Sequence, residues 1–295
     1  MTALPEIVVE AVSAAVGDVE IDNAATLSSK TVEATGFSKR RVVEKGVTLF
    51  DLSLRAARQL PAAELSKVVG VVAATFSSES RFPSLAVRLA SALGLPATAP
   101  AFDLQMACSA YPYAVYLASR MSADIGGSVL VFDGDVQSAL SDETDLNTTP
   151  LFSDAATATL VRADTSTSGA SHFAAYSRYS EALACPATGP ISMDGFCVFS
   201  FVATEVVPFL KKFVKEAGEP PFDGFVPHQA NMYMVRQLAR SLGLQDILLT
   251  SGEEYANTGS SSIPLTIATR ARPGRHLLAG FGAGLSAAAV TVRVA

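Results

Sequence analysis

The sequence predicts an α/β fold with a largely parallel sheet, and three observations carry that prediction. The runs Val68–Ala74 and Ser128–Phe132 are continuously apolar rather than alternating, the pattern of strands covered on both faces. These runs alternate with stretches of helical periodicity, as strand–helix–strand units do. Twice an apolar strand meets a polar corner and passes straight into a helix, at Cys108 and at His228. The repetition suggests an old duplication, although no residue-level repeat is visible.

The composition is that of a well-buried enzyme. Of 295 residues, 49% are hydrophobic and 17% charged, which argues against disorder. The net charge is −6 with no basic tract, so neither nucleic acid nor an anionic membrane is an expected partner. Three cysteines, Cys108, Cys185 and Cys197, show no metal-ligand spacing and no disulfide framework, so a reducing cytoplasm is the expected compartment and no metal is expected. Met1–Val12 lacks a basic segment and is not expected to be a secretory signal. No run of some eighteen apolar residues suggests a membrane span.

In chain order, Ile7-Val8-Val9 favours a strand within 6–16, and Asn23–Gly36 reads as loop and helix. Leu49–Gln59 and Ser84–Leu93 have helical spacing around the buried strand Val68–Ala74. Phe102–Leu104 is a strand leading to Cys108, and the helix behind it, from about Cys108 to Arg120, is apolar nearly all round and therefore buried. Ser128–Phe132 is a strand stopped by Asp133-Gly134, and residues 151–161 begin as a turn and end as a strand. The small, polar segment Ala163–Ser171 reads as the boundary between halves, 1–165 and 166–295. Beyond it, His172–Ser177 is strand-like and Ala184–Ile191 a loop. The rest reads as a helix at 196–218, a strand at Phe222–Val226, a helix at Asn231–Leu242 ended by Gly243, a strand at Ile247–Thr250 and a helix at Gly259–Arg270. Two last strands, His276–Phe281 and Ala287–Val294, are joined through Gly282-Ala283-Gly284.

Four places could carry chemistry. A cysteine at a helix start sits at the positive end of the helix dipole, which lowers a thiol pKa and frees a thiolate near neutral pH. The plain alternative is that Cys108 is a small buried hydrophobe. His228, in Val226-Pro227-His228-Gln229-Ala230-Asn231, is delivered by a strand end, where α/β proteins build sites; it could equally be a satisfied histidine at a helix start. His172 and His276 read as surface residues. Asn257 and the serines after it can cap the next helix, or Asn257 can donate to a developing oxyanion. Gly280-Phe281-Gly282-Ala283-Gly284 fails as a dinucleotide fingerprint but works as a tight turn aiming a backbone N–H. Cysteine, histidine, asparagine and N–H turn together make acyl-thioester chemistry.

These motifs resemble the β-ketoacyl-(acyl carrier protein) synthase III family of the thiolase superfamily nearly end to end. Thr35-Gly36-Phe37-Ser38-Lys39-Arg40-Arg41 is similar to its Thr-Gly-Ile-x-x-Arg-Arg, and Phe82-Pro83-Ser84 to its dimer-interface loop. Ala107-Cys108-Ser109, Val226–Asn231, Asn257–Pro264 and Phe281–Gly284 match its nucleophile, histidine, asparagine and terminal glycine motifs. The resemblance implies the five-layered αβαβα thiolase fold, two fused halves and a homodimer. It implies no bound cofactor, and acyl and malonyl thioesters of an acyl carrier protein or coenzyme A as substrates. Cys108 would take the acyl group, with oxyanion N–H groups from Cys108 and Ala283. Beside His228 and Asn257 a malonyl thioester would decarboxylate and its carbanion attack the acyl-enzyme. Phe82, reaching into a partner's pocket, with Phe196, Phe199 and Phe281, would shape the acyl pocket. Arg236, Arg240, Lys211 and Lys212 would form a carrier-protein docking patch, or merely solvated helix faces.

The chain departs from the family's pattern around the coenzyme. It has no tryptophan; Lys30 and Leu146 fall where the adenine would be stacked, Ala34 and Tyr233 replace arginines, and Phe196 replaces an asparagine. A divergent member serving secondary-metabolite or specialised fatty-acid biosynthesis fits this pattern. The alternatives are acyl transfer to a hydroxyl, amine or thiol on the same fold, and a non-catalytic subunit of a heterodimer.

Overall fold

The computed structural model describes residues 4–142, 144–146, 148–217 and 221–295. The first half contributes strands β1 (Leu4–Val16), β2 (Val68–Ala74), β3 (Ala101–Leu104), β4 (Ser128–Asp135) and β5 (Ala155–Gly169). The second contributes β6 (Ser171–Ala175), β7 (Gly224–Pro227), β8 (Gly274–Gly282) and β9 (Ser286–Val294). The helices that matter to the site are α1 (Leu49–Ala57), α2 (Leu85–Ala92), α3 (Ala110–Ile125), α4 (Gly195–Phe201), α5 (Val207–Ala217), α6 (Met232–Leu242) and α7 (Ser262–Arg270).

The strand order repeats along the chain. First-half strands lie in the order β3-β2-β4-β5-β1. Second-half strands run β7-β8-β9-β6, with Leu248 bridged to Phe225 on the free side of β7. Counted from its own first strand, with Leu248 as the third position of the second half, each half has the order 3-2-4-5-1. Parallel pairing of β1 with β9, from Ile7↔Val292 to Val9↔Val294, joins the halves.

The sheet is mixed rather than largely parallel. β2 is parallel to β3 and β4, and β7 to β8, but β5 runs against β1 and β4, and β9 against β8 and β6. The last strand of each half causes this. β9 returns from β8 through Ala283–Leu285, and so short a connection joins only antiparallel neighbours.

Alternation along the strands sorts the core into layers. Leu130 and Phe132 of β4, and Val71 and Ala73 of β2, pack under α1 and α2. Val129, Val131, Val72 and Ala74 point the other way, onto α3 and onto Ile263 and Ile267 of α7. The opposite side of that helical layer meets Val226, Leu278, Val290 and Val292 of the second half. Leu277, Ala279 and Phe281 of β8 face outward onto α4, α5 and α6. The result is five layers: helices, sheet, helices, sheet, helices. α3, sandwiched between sheets, is lined by Ala110, Ala114 and Ala118, which let the sheets approach. Its Tyr111 and Val115 are fully buried, each worth about 1.5–3 kcal/mol.

Four sequence expectations change. Residues 163–169, read as the boundary segment, continue β5; the strand passes residue 165, and the chain reverses at Ala170. Residues 247–250 form no strand: a tight turn occupies Gln245–Ile247, and only Leu248 bridges to β7. The helix expected at 196–218 spans Gly195–Ala217 with a π-helical turn at Val202–Val206, Gly218 lying outside the described residues. His276 is buried under Gly224 with Nδ1 3.1 Å from the Gly274 carbonyl, because β8 is covered on both faces. His172 is half-buried and pairs with Glu216. Among the described residues, no helix is long and apolar enough to cross a membrane.

Candidate active site

Cys108 stands where β3 breaks into a tight turn, Ala107–Ser109, which feeds α3. The turn is sharp: Ala107 has φ +41°, a region that a side chain disfavours. Asn257 is presented the same way, behind Ala256 at φ +53°. His228 follows β7 directly, its N–H donating to the Ala279 carbonyl at 2.8 Å and so extending the β7–β8 ladder. Thus Cys108 comes from the first half, and His228 and Asn257 from the second.

All three line one cavity of about 570 Å³, part of it open to solvent. Its remaining wall is mostly apolar, with Leu151, Phe152, Met193, Val198, Met234 and Phe281, and it also includes the polar Asn231. Gly282 crosses close to Cys108; a Cβ there would lie 2.7 Å from Cys108 Cβ and 3.1 Å from Sγ. That approach brings the Ala283 N–H onto the sulfur, where it and the Cys108 N–H hold the thiol's pKa down. They do not win. Burial, with Asp135 and Asp133 nearby, pushes the thiol up to about 11, so Cys108 rests protonated. The lowered pKa expected from its place at a helix start is overturned by desolvation.

His228 is buried and its pKa is lowered to about 4, by desolvation against a hydrogen bond to Gly259. Nδ1 lies 3.0 Å from the Gly259 carbonyl and 3.0 Å from Ser262 Oγ. A carbonyl only accepts, so Nδ1 carries the proton and the neutral ring leaves Nε2 as a lone pair on the cavity side. Asn257 is fixed along its length. Its carbonyl accepts from Ser153 N–H and Gln137 Nε2, each at 2.9 Å, and its Oδ1 accepts from Gly259 N–H at 2.8 Å. With Oδ1 engaged, Nδ2 is the group left for the cavity.

Behind the thiol lies a pair of buried acids, of which the sequence marks Asp133 only as the stop of a strand and does not single out Asp135. Asp133 and Asp135 continue the face of β4 that carries Val129 and Val131, so both point at the helical layer beneath Cys108. Asp135 Oδ1 accepts from Thr75 Oγ1, Phe76 N–H, Ser77 N–H and Ser77 Oγ at 2.8–3.1 Å. Burial pushes Asp135 up to about 7 against those four donors. Neither oxygen of Asp133 has a hydrogen-bond partner among the described residues; the Ser260 hydroxyl lies against the group without good hydrogen-bond geometry. Burial, then the charge of Asp135, drives Asp133 well above the usual carboxylate range.

Of the expected pocket residues, Phe281 lines the cavity, its ring edge-on to His228 at 5.6 Å. Phe82 and Phe196 are 86% and 84% exposed, so neither walls the cavity of a single chain. Phe199 is exposed and stacks on Tyr233 beside the cavity-lining Val198 and Met234. Of the expected docking cations, Arg236 is paired with Glu253 at 2.8 Å and Lys212 with Glu216 at 4.0 Å, while Arg240 and Lys211 are exposed on α6 and α5. Sequence reading missed Gly259, Ser262 and the acid pair, whose spacing to the site residues carries no local pattern.

A thiol, an imidazole and a carboxamide converging on an apolar cavity between two duplicated halves define a thiolase-fold acyltransferase. The 3-oxoacyl-[acyl-carrier-protein] synthase III model matches residues 102–178, and the model of that family's C-terminal region matches residues 221–294. β-Ketoacyl-[acyl-carrier-protein] synthase III of Lactobacillus delbrueckii subsp. bulgaricus is 33% identical over 284 residues, covering 88% of each chain. The 3-oxoacyl-(acyl-carrier protein) synthase of Burkholderia xenovorans superposes with a TM-score of 0.90 at 26% identity, over 99% of this chain and 95% of that one. The priming β-ketosynthase of the R1128 polyketide pathway gives a TM-score of 0.88 at 26% identity, over 100% of this chain and 98% of that one. The chain belongs to the 3-oxoacyl-[acyl-carrier-protein] synthase III family.

Proposed function

We propose that the chain loads an acyl group onto Cys108 from an acyl thioester and condenses it with a malonyl thioester. The observation that carries this is the convergence of Cys108, His228 and Asn257 on one apolar cavity, with the Ala283 N–H on the sulfur. Because the thiol rests protonated, its activation needs a base. His228 Nε2 takes the proton as Sγ attacks the thioester carbonyl, and the N–H groups of Cys108 and Ala283 hold the oxyanion. Collapse expels the carrier thiol, which leaves with that proton.

The malonyl thioester then enters as an anion. Its carboxylate favours protonation of Nε2 by a solvent proton, overcoming the desolvation that keeps the ring neutral. Loss of CO₂ leaves an enolate, whose oxygen receives hydrogen bonds from Asn257 Nδ2 and His228 Nε2. Its carbon attacks the acyl-enzyme, forming the C–C bond and releasing the Cys108 thiolate, which regains a proton from Nε2.

The donor and acceptor are thioesters of an acyl carrier protein or coenzyme A. Exposed Phe196, Phe199 and Tyr233, with exposed Arg240 on α6 and Lys211 on α5, support docking of a carrier protein at this rim. A homodimer is part of the same reading: β3 is an edge strand, and Phe82, Val87 and Phe102 stand exposed around it. Phe82 would then complete the partner's acyl pocket. A priming step in specialised fatty-acid or polyketide assembly fits the likeness to the R1128 enzyme. The test is intact-protein mass spectrometry after incubation with acyl thioesters, followed by CO₂ release from a malonyl thioester. An adduct on Cys108 and CO₂ release lost in Asn257→Ala support the proposal. Acylation without malonyl consumption would overturn it.

A further inference from the structure

The two N–H groups of the oxyanion site belong to different halves of the chain, so something must fix their separation. Ser109 follows the nucleophile, and Ser286 closes the turn that carries Ala283, pairing with Gly282 across the β8–β9 hairpin. Their hydroxyls meet at 2.6 Å, 177 residues apart in sequence, and both side chains are buried. Ser109 Oγ also lies 2.9 Å from the Met106 carbonyl, and Ser286 Oγ 3.2 Å from the Ala283 carbonyl. Two hydroxyl protons serve three contacts. The shorter two are satisfied when Ser286 donates to Ser109 and Ser109 donates to Met106. The chain of bonds then runs from the Ala283 turn to the turn that carries Cys108.

We propose that Ser286, through its hydroxyl bridge to Ser109, is a positioning residue that sets the spacing of the two oxyanion N–H donors. This rests on the reading of Cys108 and Ala283 as the oxyanion site. A hydroxyl bridge suits the task because it holds one separation. The apolar contacts around it, Gly282 against Cys108 included, resist closer approach but do not resist opening. Without the bridge, the Ala283 turn can move away from the sulfur, and misplacement on the ångström scale weakens transition-state stabilisation.

The experiment compares wild type with Ser286→Ala, Ser109→Ala, the double variant and Ser286→Thr. Two rates are read on each protein: acylation of Cys108 by acetyl coenzyme A or acetyl carrier protein, and alkylation of Cys108 by iodoacetamide across pH. Each alanine variant is expected to acylate about 10- to 100-fold more slowly. Its alkylation profile should move to higher pH, because the Ala283 N–H no longer steadies the thiolate. The double variant should be no slower than the worse single one, since both remove the same bridge, and Ser286→Thr should restore both readouts. A bridge that only stabilises the fold would lower the melting temperature and leave the alkylation profile in place, which overturns the proposal. Wild-type acylation rates in the alanine variants, or losses that add in the double variant, overturn it as well. If the wild type accepts no acyl group, the underlying reading fails, and the alkylation profiles still decide whether the bridge positions Ala283. Should Ser286→Ala fail to fold, Ser109→Ala removes the bridge from the other end.

Discussion

His228 and Asn257 are held by opposite ends of a single residue. The Gly259 N–H donates to Asn257 Oδ1 at 2.8 Å, and the Gly259 carbonyl accepts from His228 Nδ1 at 3.0 Å. One residue, through the two peptide groups that flank its Cα, therefore orients the carboxamide and fixes the tautomer of the imidazole. The two groups move together or not at all.

Gly259→Ala is expected to damage both at once. Gly259 has φ +69°, where a side chain costs roughly 1–2 kcal/mol. The added Cβ would meet Asp135 Oδ2 at 3.5 Å, an ordinary contact, so strain rather than collision drives the backbone shift. CO₂ release from a malonyl thioester should fall about 100-fold, while acylation of Cys108, which needs only the histidine, falls less. Equal losses in both steps would refute the shared-anchor account.

Gly282→Ala acts on the other side of the site. Its Cβ would sit 2.7 Å from Cys108 Cβ, closer than real Cβ atoms come, and φ is +146°. Cys108 Cβ cannot give way without its backbone, so the β8–β9 turn must move and take the Ala283 N–H with it. Acylation of Cys108 should be lost to within detection by intact mass, in a protein that retains its circular dichroism spectrum. Normal acylation would show that the turn is not needed.

The pH dependence of the thiol should betray its environment. With its pKa pushed up to about 11, Cys108 is alkylated by iodoacetamide at a rate that still climbs between pH 8 and 9.5. A plateau near neutral pH would show a preformed thiolate. Because His228 is lowered to about 4, the acid limb of acylation should lie well below the usual histidine range, the neutral base being present down to that pH. The same group weakens the fold in acid. The unfolded chain takes up a proton near pH 6.5 that the native state resists until about 4, so its stability contribution is intact above 6.5 and is lost as pH falls through that window.

How much of this was legible in the sequence depends on how local each signal is. The buried strands at 68–74 and 128–132, the buried helix behind Cys108 and the hairpin around Gly282–Gly284 are local patterns, and they stand where periodicity places them. Cys108 and His228 stood out in the sequence because each follows a strand at a turn, whereas Asn257 follows a short helix at Gly252–Tyr255 and stood out only by its motif. The thiol's protonation state was not: the helix-start rule is local, whereas the desolvation that overrides it comes from two sheets closing over Cys108. The same holds for His276, buried because β8 lies between layers, and for 163–169, whose polar residues extend β5 by pairing with β1. Asp133 read as a strand stop because acidic residues seldom continue into a core.

That buried acid gives the last prediction. In the folded chain Asp133 keeps its proton well above the value of 3.8 at which the unfolded chain releases it. The native state therefore binds more protons than the unfolded state once pH exceeds about 4, and wild-type stability declines with rising pH from there up to the raised native value. Asparagine has a similar shape and does not titrate. Its amide also lacks a partner in this position, so Asp133→Asn can begin with a constant penalty. The difference in unfolding free energy, variant minus wild type, should nevertheless climb with pH by up to about 1.4 kcal/mol per pH unit through that window. Asp135, held by its four donors in both proteins, largely cancels from the difference. Urea denaturation of the two proteins between pH 4.5 and 8 measures it. A difference that stays flat across the range would mean that Asp133 is ionised in the fold, and that an unseen partner compensates its charge beneath Cys108.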